Sequence, residues 1–237
     1  MNGARLGATL KLDLKLQARN QLYVIGVLVA VATGLMVRFL VPTSHIGRGL
    51  AAFYVLGLGG TTFMFGSSML LLEKGEGTLE ALRTSMISSG DYVLSKAITL
   101  TAFAVVESAI VYAIASRGVA ASYLLLLLGA AVLGAFYTFV GLGIAAAYDA
   151  VTTFLLPTGA LVGMVLQLPF LSLIGVGPWW LWYLIPTQAP LLLFQGAFEP
   201  LAGWQWAYAV GMSAAMIVGA YAFCKRRFRT WIRLPEG

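Results

Sequence analysis

The residues able to do chemistry in this chain are few and crowded together. Glu73, Lys74, Glu76, Glu80, Arg83, Asp91 and Lys96 all fall within residues 71–96, one polar stretch in an otherwise apolar sequence. Away from the charged N-terminal region and basic tail, the other notable titratable groups stand singly: Glu107 inside an apolar run, His45 as the one histidine, Cys224 as the one cysteine. No glycine is followed by lysine, so the chain carries no Gly-x-x-x-x-Gly-Lys-Ser/Thr loop to cradle phosphates, and nucleotide hydrolysis is not expected of it. His-Glu-x-x-His, paired-cysteine and Ser/His/Asp patterns are missing too, and a lone histidine is no metal site. A single cysteine cannot form an internal disulfide. What the polar stretch offers is a surface: either a solvated connector or a handle for a soluble partner.

The elements that position this stretch follow from composition. The chain is 60% hydrophobic and 10% charged, against about 25% charged in soluble domains, and apolar runs longer than a bilayer crossing recur along it. The expected fold is an all-α membrane protein forming a single transmembrane domain over residues 1–237. Residues 4–20 form an interfacial helix, 21–72 spans 1 and 2, 73–90 the polar connector, 91–174 spans 3 to 5, 175–203 a re-entrant segment, and 204–237 span 6 with a basic tail. In the first of these, Leu6, Leu10, Leu14 and Ala18 recur at fourfold spacing, while Lys11, Lys15 and Arg19 share another face, as in a helix lying along a membrane surface. Arg5, Lys11, Asp13, Lys15 and Arg19 interrupt the N-terminal region, so a cleavable signal is not expected.

Within the polar stretch, Gly75 and Gly77 end span 2. Gly77 or Thr78 caps a short helix with Glu80 in its first turn. Leu79, Leu82 and Met86 make one apolar stripe, Glu76 and Glu80 share another face, and Glu80 is in reach of Arg83. Ser88, three residues before Asp91, caps span 3. Deeper in the spans, Glu107 is costly in hydrocarbon and is expected either to be hydrogen-bonded within the bundle or to line a translocation path. Tyr137 and Gln167 are the other polar candidates for that path. Arg38 snorkels to the headgroups, and Asp149 caps span 5 or meets a partner. Glycines 57, 59, 60 and 66 of span 2 and 134, 141 and 143 of span 4 permit close helix approach. Pro157 and Pro169 kink span 5.

In residues 175–203, Pro178, Trp179, Trp180, Trp182 and Tyr183 form an interfacial aromatic cluster. Pro186 and Pro190 then leave pieces too short to cross, hence a re-entrant hairpin rather than a seventh span. Charge supports that choice. With six spans, Arg5, Lys11, Lys15, Arg19, Lys74, Arg83, Lys96 and the tail bases Lys225, Arg226, Arg227, Arg229 and Arg233 share one side; only Arg38, Arg48 and Arg117 take the other. The positive-inside rule then puts both termini in the cytoplasm. The net charge of +6 thus flanks spans, and no nucleic-acid partner is expected.

The run Glu73-Lys-Gly-Glu-Gly-Thr-Leu-Glu-Ala-Leu82, followed by Ser85-Met-Ile-Ser-Ser-Gly-Asp-Tyr92 and Lys96, resembles the corresponding segment of ABC-2 type transporter permeases. Gly75 stands where that family favours an acidic residue, and Met86 where it favours proline. The segment Pro186-Thr-Gln-Ala-Pro190 is similar to the fluoroquinolone-export branch. The resemblance implies an exporter of a hydrophobic or amphipathic small molecule at the cell inner membrane. It implies a partner ABC ATP-binding subunit that carries ATP and Mg, a second permease copy, identical or not, and no cofactor on this chain. Glu73, Glu76, Gly77, Thr78, Leu79, Glu80, Leu82 and Met86 would form the coupling region. The competing expectation is a membrane scaffold that docks a soluble partner through residues 73–91.

Overall fold

The computed structural model describes residues 3–79 and 88–232, and among these every regular element is helical. Helix α1 (Gly3–Arg19) turns at Gln21, which has a left-handed φ of 57°, into α2 (Leu22–Leu40). The next pass runs through α3 (Ile46–Phe53), a π-helical turn (Tyr54–Leu58) and α4 (Gly59–Gly75). Then come α5 (Ser89–Ala115), α6 (Tyr123–Ala145), α7 (Val151–Gln167), the short helices α8 (Trp179–Trp182) and α9 (Gln188–Gly196), and α10 (Gly203–Trp231). Among the described residues, five helical stretches are long and apolar enough to cross a membrane: α2, Thr43–Gly75 as a whole, α5, α6 and α10. Helix α7 is a 17-residue helix with Pro157 inside, continued by a 3-10 segment (Leu168–Ile174) that takes Pro169 in its first turn. Glu80, Leu82, Arg83 and Met86 lie outside the described residues.

Helix α6 is the hub, packing against α4, α5, α9 and α10. Its glycines make this geometry available. A Cβ on Gly141 would lie 2.8 Å from the Phe63 carbonyl oxygen and the Ser67 hydroxyl of α4, and one on Gly129 would lie 2.7 Å from the Phe194 ring of α9. Small residues let backbones approach where no hydrophobic effect separates helix from lipid. Helix α9 is buried almost entirely, from Gln188 to Phe194, and its Pro190 sits in the first turn, where no helical N–H is lost. At one end of the bundle the rings of Trp179, Tyr183, Trp204 and Tyr208 meet in edge-to-face and tilted pairs with centres 4.9–6.2 Å apart, the aromatic cluster expected of residues 178–183 with two rings of α10 added. Both described termini lie at the other end, with the root of the polar stretch and residues 146–150.

The structure defines the protein-facing side of α1 and changes one expectation, the cap at Asp149. Helix α1 buries Thr9, Asp13 and Gln17 against α5, while Leu12 and Leu14 are exposed. The face that meets protein is the polar one, because its partners Ser95, Lys96 and Thr99 are polar; the leucines stay exposed. Asp149 is not a helix cap: Ala150 holds that place, and the Asp149 carboxylate is fully exposed, 3.7 Å from the Lys74 ammonium.

Candidate functional site

At the base of the polar stretch, three charged side chains are sealed from water. Lys96 is 0% exposed; its ammonium donates to Asp13 Oδ1 at 2.9 Å and to Glu73 Oε1 at 2.6 Å. Helix α5 brings Lys96, α1 brings Asp13, and the last turn of α4 brings Glu73. The second oxygen of each acid is satisfied as well: the Tyr92 hydroxyl donates to Glu73 Oε2 at 2.5 Å, and the Ser95 hydroxyl to Asp13 Oδ2 at 2.5 Å. Tyr92 and Lys96 stand one helical turn apart, so the ammonium also lies 4.7 Å from the Tyr92 ring centre. One turn further on, Gln17 donates to the Thr99 hydroxyl at 2.7 Å and accepts from the Tyr23 hydroxyl at 2.7 Å. Two buried carboxylates around one ammonium are tolerable only because each of their four oxygens has a donor. The result ties three elements to one point and fixes the rotation of α1.

Lys74, the next residue, turns the opposite way. Its ammonium donates to the carbonyls of Ala146 and Tyr148 at 2.6 and 2.7 Å, closing carbonyls left open where α6 ends. Adjacent residues thus clamp the end of α4 to α1 and α5 on one side and to α6 on the other. Beyond the clamp the helix stops. Gly77 has φ 71° and donates its N–H to the Lys74 carbonyl, the left-handed ending that glycine makes without strain. The Thr78 hydroxyl reaches back to the Glu73 carbonyl at 2.9 Å. Ser88 accepts from the Asp91 N–H at 3.1 Å and starts α5, as its spacing indicated.

Of the coupling candidates, Glu76 is on the surface, paired with Arg19 at 2.9 Å. Glu73 faces inward, and Leu79 is 5% exposed and packed in the core, so neither presents its side chain as part of an open edge. Glu80, Leu82 and Met86 fall outside the described residues. Asp13 and Lys96 were not picked out from the sequence as site residues. Their signal was present: Asp13 is the one acid in a basic helix, and Lys96 is the last base of the polar stretch, just where the apolar run of α5 begins.

Glu107, Tyr137 and Gln167 do not meet one another, yet all three touch the second pass near its π turn. The Gln167 amide donates to the Leu56 carbonyl at 3.1 Å, in the turn itself. Glu107 accepts from the Thr61 hydroxyl at 3.4 Å and borders a crevice of about 20 Å³ with Thr33, Tyr54 and Gly57, enough for one water. Tyr137 is packed against Gly59 and Phe63. The Glu107 Oε1 and the Tyr137 hydroxyl have no hydrogen-bond partner among the described residues. Among the described residues no group of three acidic, His or Cys side chains is placed to hold a metal.

A larger opening, of about 780 Å³, lies at the opposite end of the bundle, between α3, the 3-10 segment and α9.

The comparisons with known proteins agree with one another. The model of the fluoroquinolones export permease protein family matches residues 4–234. Two Mycobacterium tuberculosis proteins, from strains CDC 1551 and H37Rv, are 30% identical to this chain over 243 aligned residues, covering 98% of each chain. Both bear the name fluoroquinolones export permease protein.

Proposed function

The chain belongs to the fluoroquinolones export permease family, and from that premise we propose that it is the membrane subunit of an ATP-driven exporter whose energy comes from a separate ATP-binding subunit. In this reading the chain crosses the inner membrane six times, with Val151–Ile174 as the fifth crossing and residues 175–203 dipping in from the outer face. The end carrying the termini is cytoplasmic, as the twelve bases that the sequence assigns to that side favour. A second permease chain completes the pathway. The cargo is an amphipathic small molecule of the fluoroquinolone kind named for the relatives.

The observation that carries the proposal is the double clamp at Glu73 and Lys74. A connector that merely joins two spans has no need of buried charges at its root. One that receives force from a partner does, because force on residues 76–88 then reaches α1, α5 and α6 together. Glu76, Gly77 and Thr78, with Glu80, Leu82 and Met86 from the sequence, form the surface that the ATP-binding subunit grips. Leu79 anchors that surface from beneath.

The test is biochemical. Purified gently from its host membrane, the chain is expected to bring with it a subunit carrying a phosphate-binding loop. Vesicles containing both are expected to transport a fluoroquinolone only when ATP is supplied. Recovery of only a partner without such a loop, and no ATP-dependent transport, would make the chain a docking scaffold instead.

A further inference from the structure

The cleft at the end opposite the termini has the chemistry of a ligand site. Its volume of about 780 Å³ falls in the range of small-molecule pockets, about 300–1,000 Å³. Val41, Phe170 and Leu173 give it apolar walls. At its rim Arg48, from α3, faces Glu199, which follows α9. Their closest approach, Arg48 Nε to Glu199 Oε1, is 3.9 Å, and the two side chains are 57% and 64% exposed. A charge-assisted hydrogen bond closes at about 2.7–2.9 Å, so these heads attract without engaging. Among the described residues neither side chain makes another ion pair. One cation and one anion therefore stand side by side with free bonding capacity, above apolar walls, on two different elements.

We propose that this cleft binds the cargo on its way out, and that it selects ampholytes: molecules with a flat apolar body, a carboxylate and an ammonium. The carboxylate takes the Arg48 guanidinium, whose planar fork suits it. The ammonium takes the Glu199 carboxylate, and the body lies on Phe170 and Leu173. The guest replaces a loose ion pair with two closed ones, so little attraction is lost when it enters. A molecule with only one of the two charges leaves one head facing apolar cargo. The site rests on the export reading, since it gives that exporter a cargo class.

The experiment uses the chain with its ATP-binding subunit in lipid nanodiscs. Three fluorescent probes are titrated: a zwitterionic fluoroquinolone, its carboxylate ester, and its N-acylated form. The native protein is expected to bind the zwitterion about tenfold more tightly than either derivative, the size of one charged hydrogen bond. Arg48→Ala is expected to erase the discrimination against the ester while keeping that against the acylated form. Glu199→Ala is expected to do the reverse, and Arg48→Lys to retain most of the native preference. The positions are exposed, so folding is not at stake, and co-purification of the ATP-binding subunit checks it. Native protein that binds and transports the zwitterion, with Arg48→Ala and Glu199→Ala leaving all three affinities in their native ratios, overturns the site and leaves the export reading standing. Native protein with neither binding nor ATP-dependent transport of any probe overturns both.

Discussion

Lys96 is the residue with the most to lose by substitution. It has no access to water, and it neutralises two acids that are themselves 2% and 4% exposed. Breaking a buried pair costs more than the pair contributes, because the partner's charge stays behind. Lys96→Met keeps much of the volume and strands Asp13 and Glu73. The expected loss is about 3–5 kcal/mol, read as a fall in denaturant or thermal midpoint in detergent. Adding Asp13→Leu and Glu73→Met removes the stranded charges and is expected to recover part of that loss, though Tyr92 and Ser95 then lack acceptors. A Lys96→Met protein as stable as the native one would mean that this ammonium does not sit between the acids. Arg19 makes the contrast. Its pair with Glu76 is about half exposed on both sides, and such pairs are worth about 0–1 kcal/mol.

At the scale of elements, the sequence shows the spans clearly and their faces less well. Long apolar runs announce α2, α4, α5, α6 and α10, because a bilayer demands length and hydrophobicity that nothing else in a sequence imitates. The glycines of α6 read correctly as contact points for the same reason that small residues drive packing in lipid. The side of α1 that meets protein was not assigned from the sequence: a helix along the membrane surface was expected, and only the structure shows that Ser95, Lys96 and Thr99 of α5 receive its Thr9, Asp13 and Gln17 side. The π turn at Tyr54–Leu58 has no signature at all: its residues suit an ordinary helix, and only the Gln167 amide reaching Leu56, with the Thr61 and Thr62 hydroxyls on Leu58, marks the displaced carbonyls. A glycine pair tests the packing logic. Gly141→Ala drives a methyl into the Phe63 carbonyl and is expected to cost about 1–3 kcal/mol. Gly219→Ala on α10 meets nothing within 4 Å and is expected to stabilise by about 0.5–1 kcal/mol through helix propensity. Equal midpoints for the two variants would remove close approach as the reason for glycine in α6.

Across the whole molecule, the proposed exporter takes in force at one end and releases cargo at the other. The clamp of Glu73 and Lys74 lies at the end with the termini, and the Arg48–Glu199 cleft lies at the other. What joins them is the second pass, which starts beside the cleft at Ile46 and ends at the clamp. Midway it carries the π turn, held by Gln167 of α7 and bordered by Glu107 of α5. In the proposed exporter this helix, pinned at one end and irregular in the middle, is the element that carries a push from the clamp to the cleft. This link was only half legible in the sequence: Lys74 was visible as a charge in the polar stretch, but its bonds to Ala146 and Tyr148 cross 72 and 74 residues, a separation that no local pattern encodes. Lys74→Met tests it. The variant leaves the Asp13–Lys96–Glu73 cluster and the surface at Glu76 in place, so the ATP-binding subunit is expected to co-purify as before. With the end of α4 unclamped from the end of α6, stimulation of ATP hydrolysis by the transported drug is expected to fall severalfold while the basal rate holds. Full stimulation in that variant would mean that the Glu73 side of the clamp carries the signal alone.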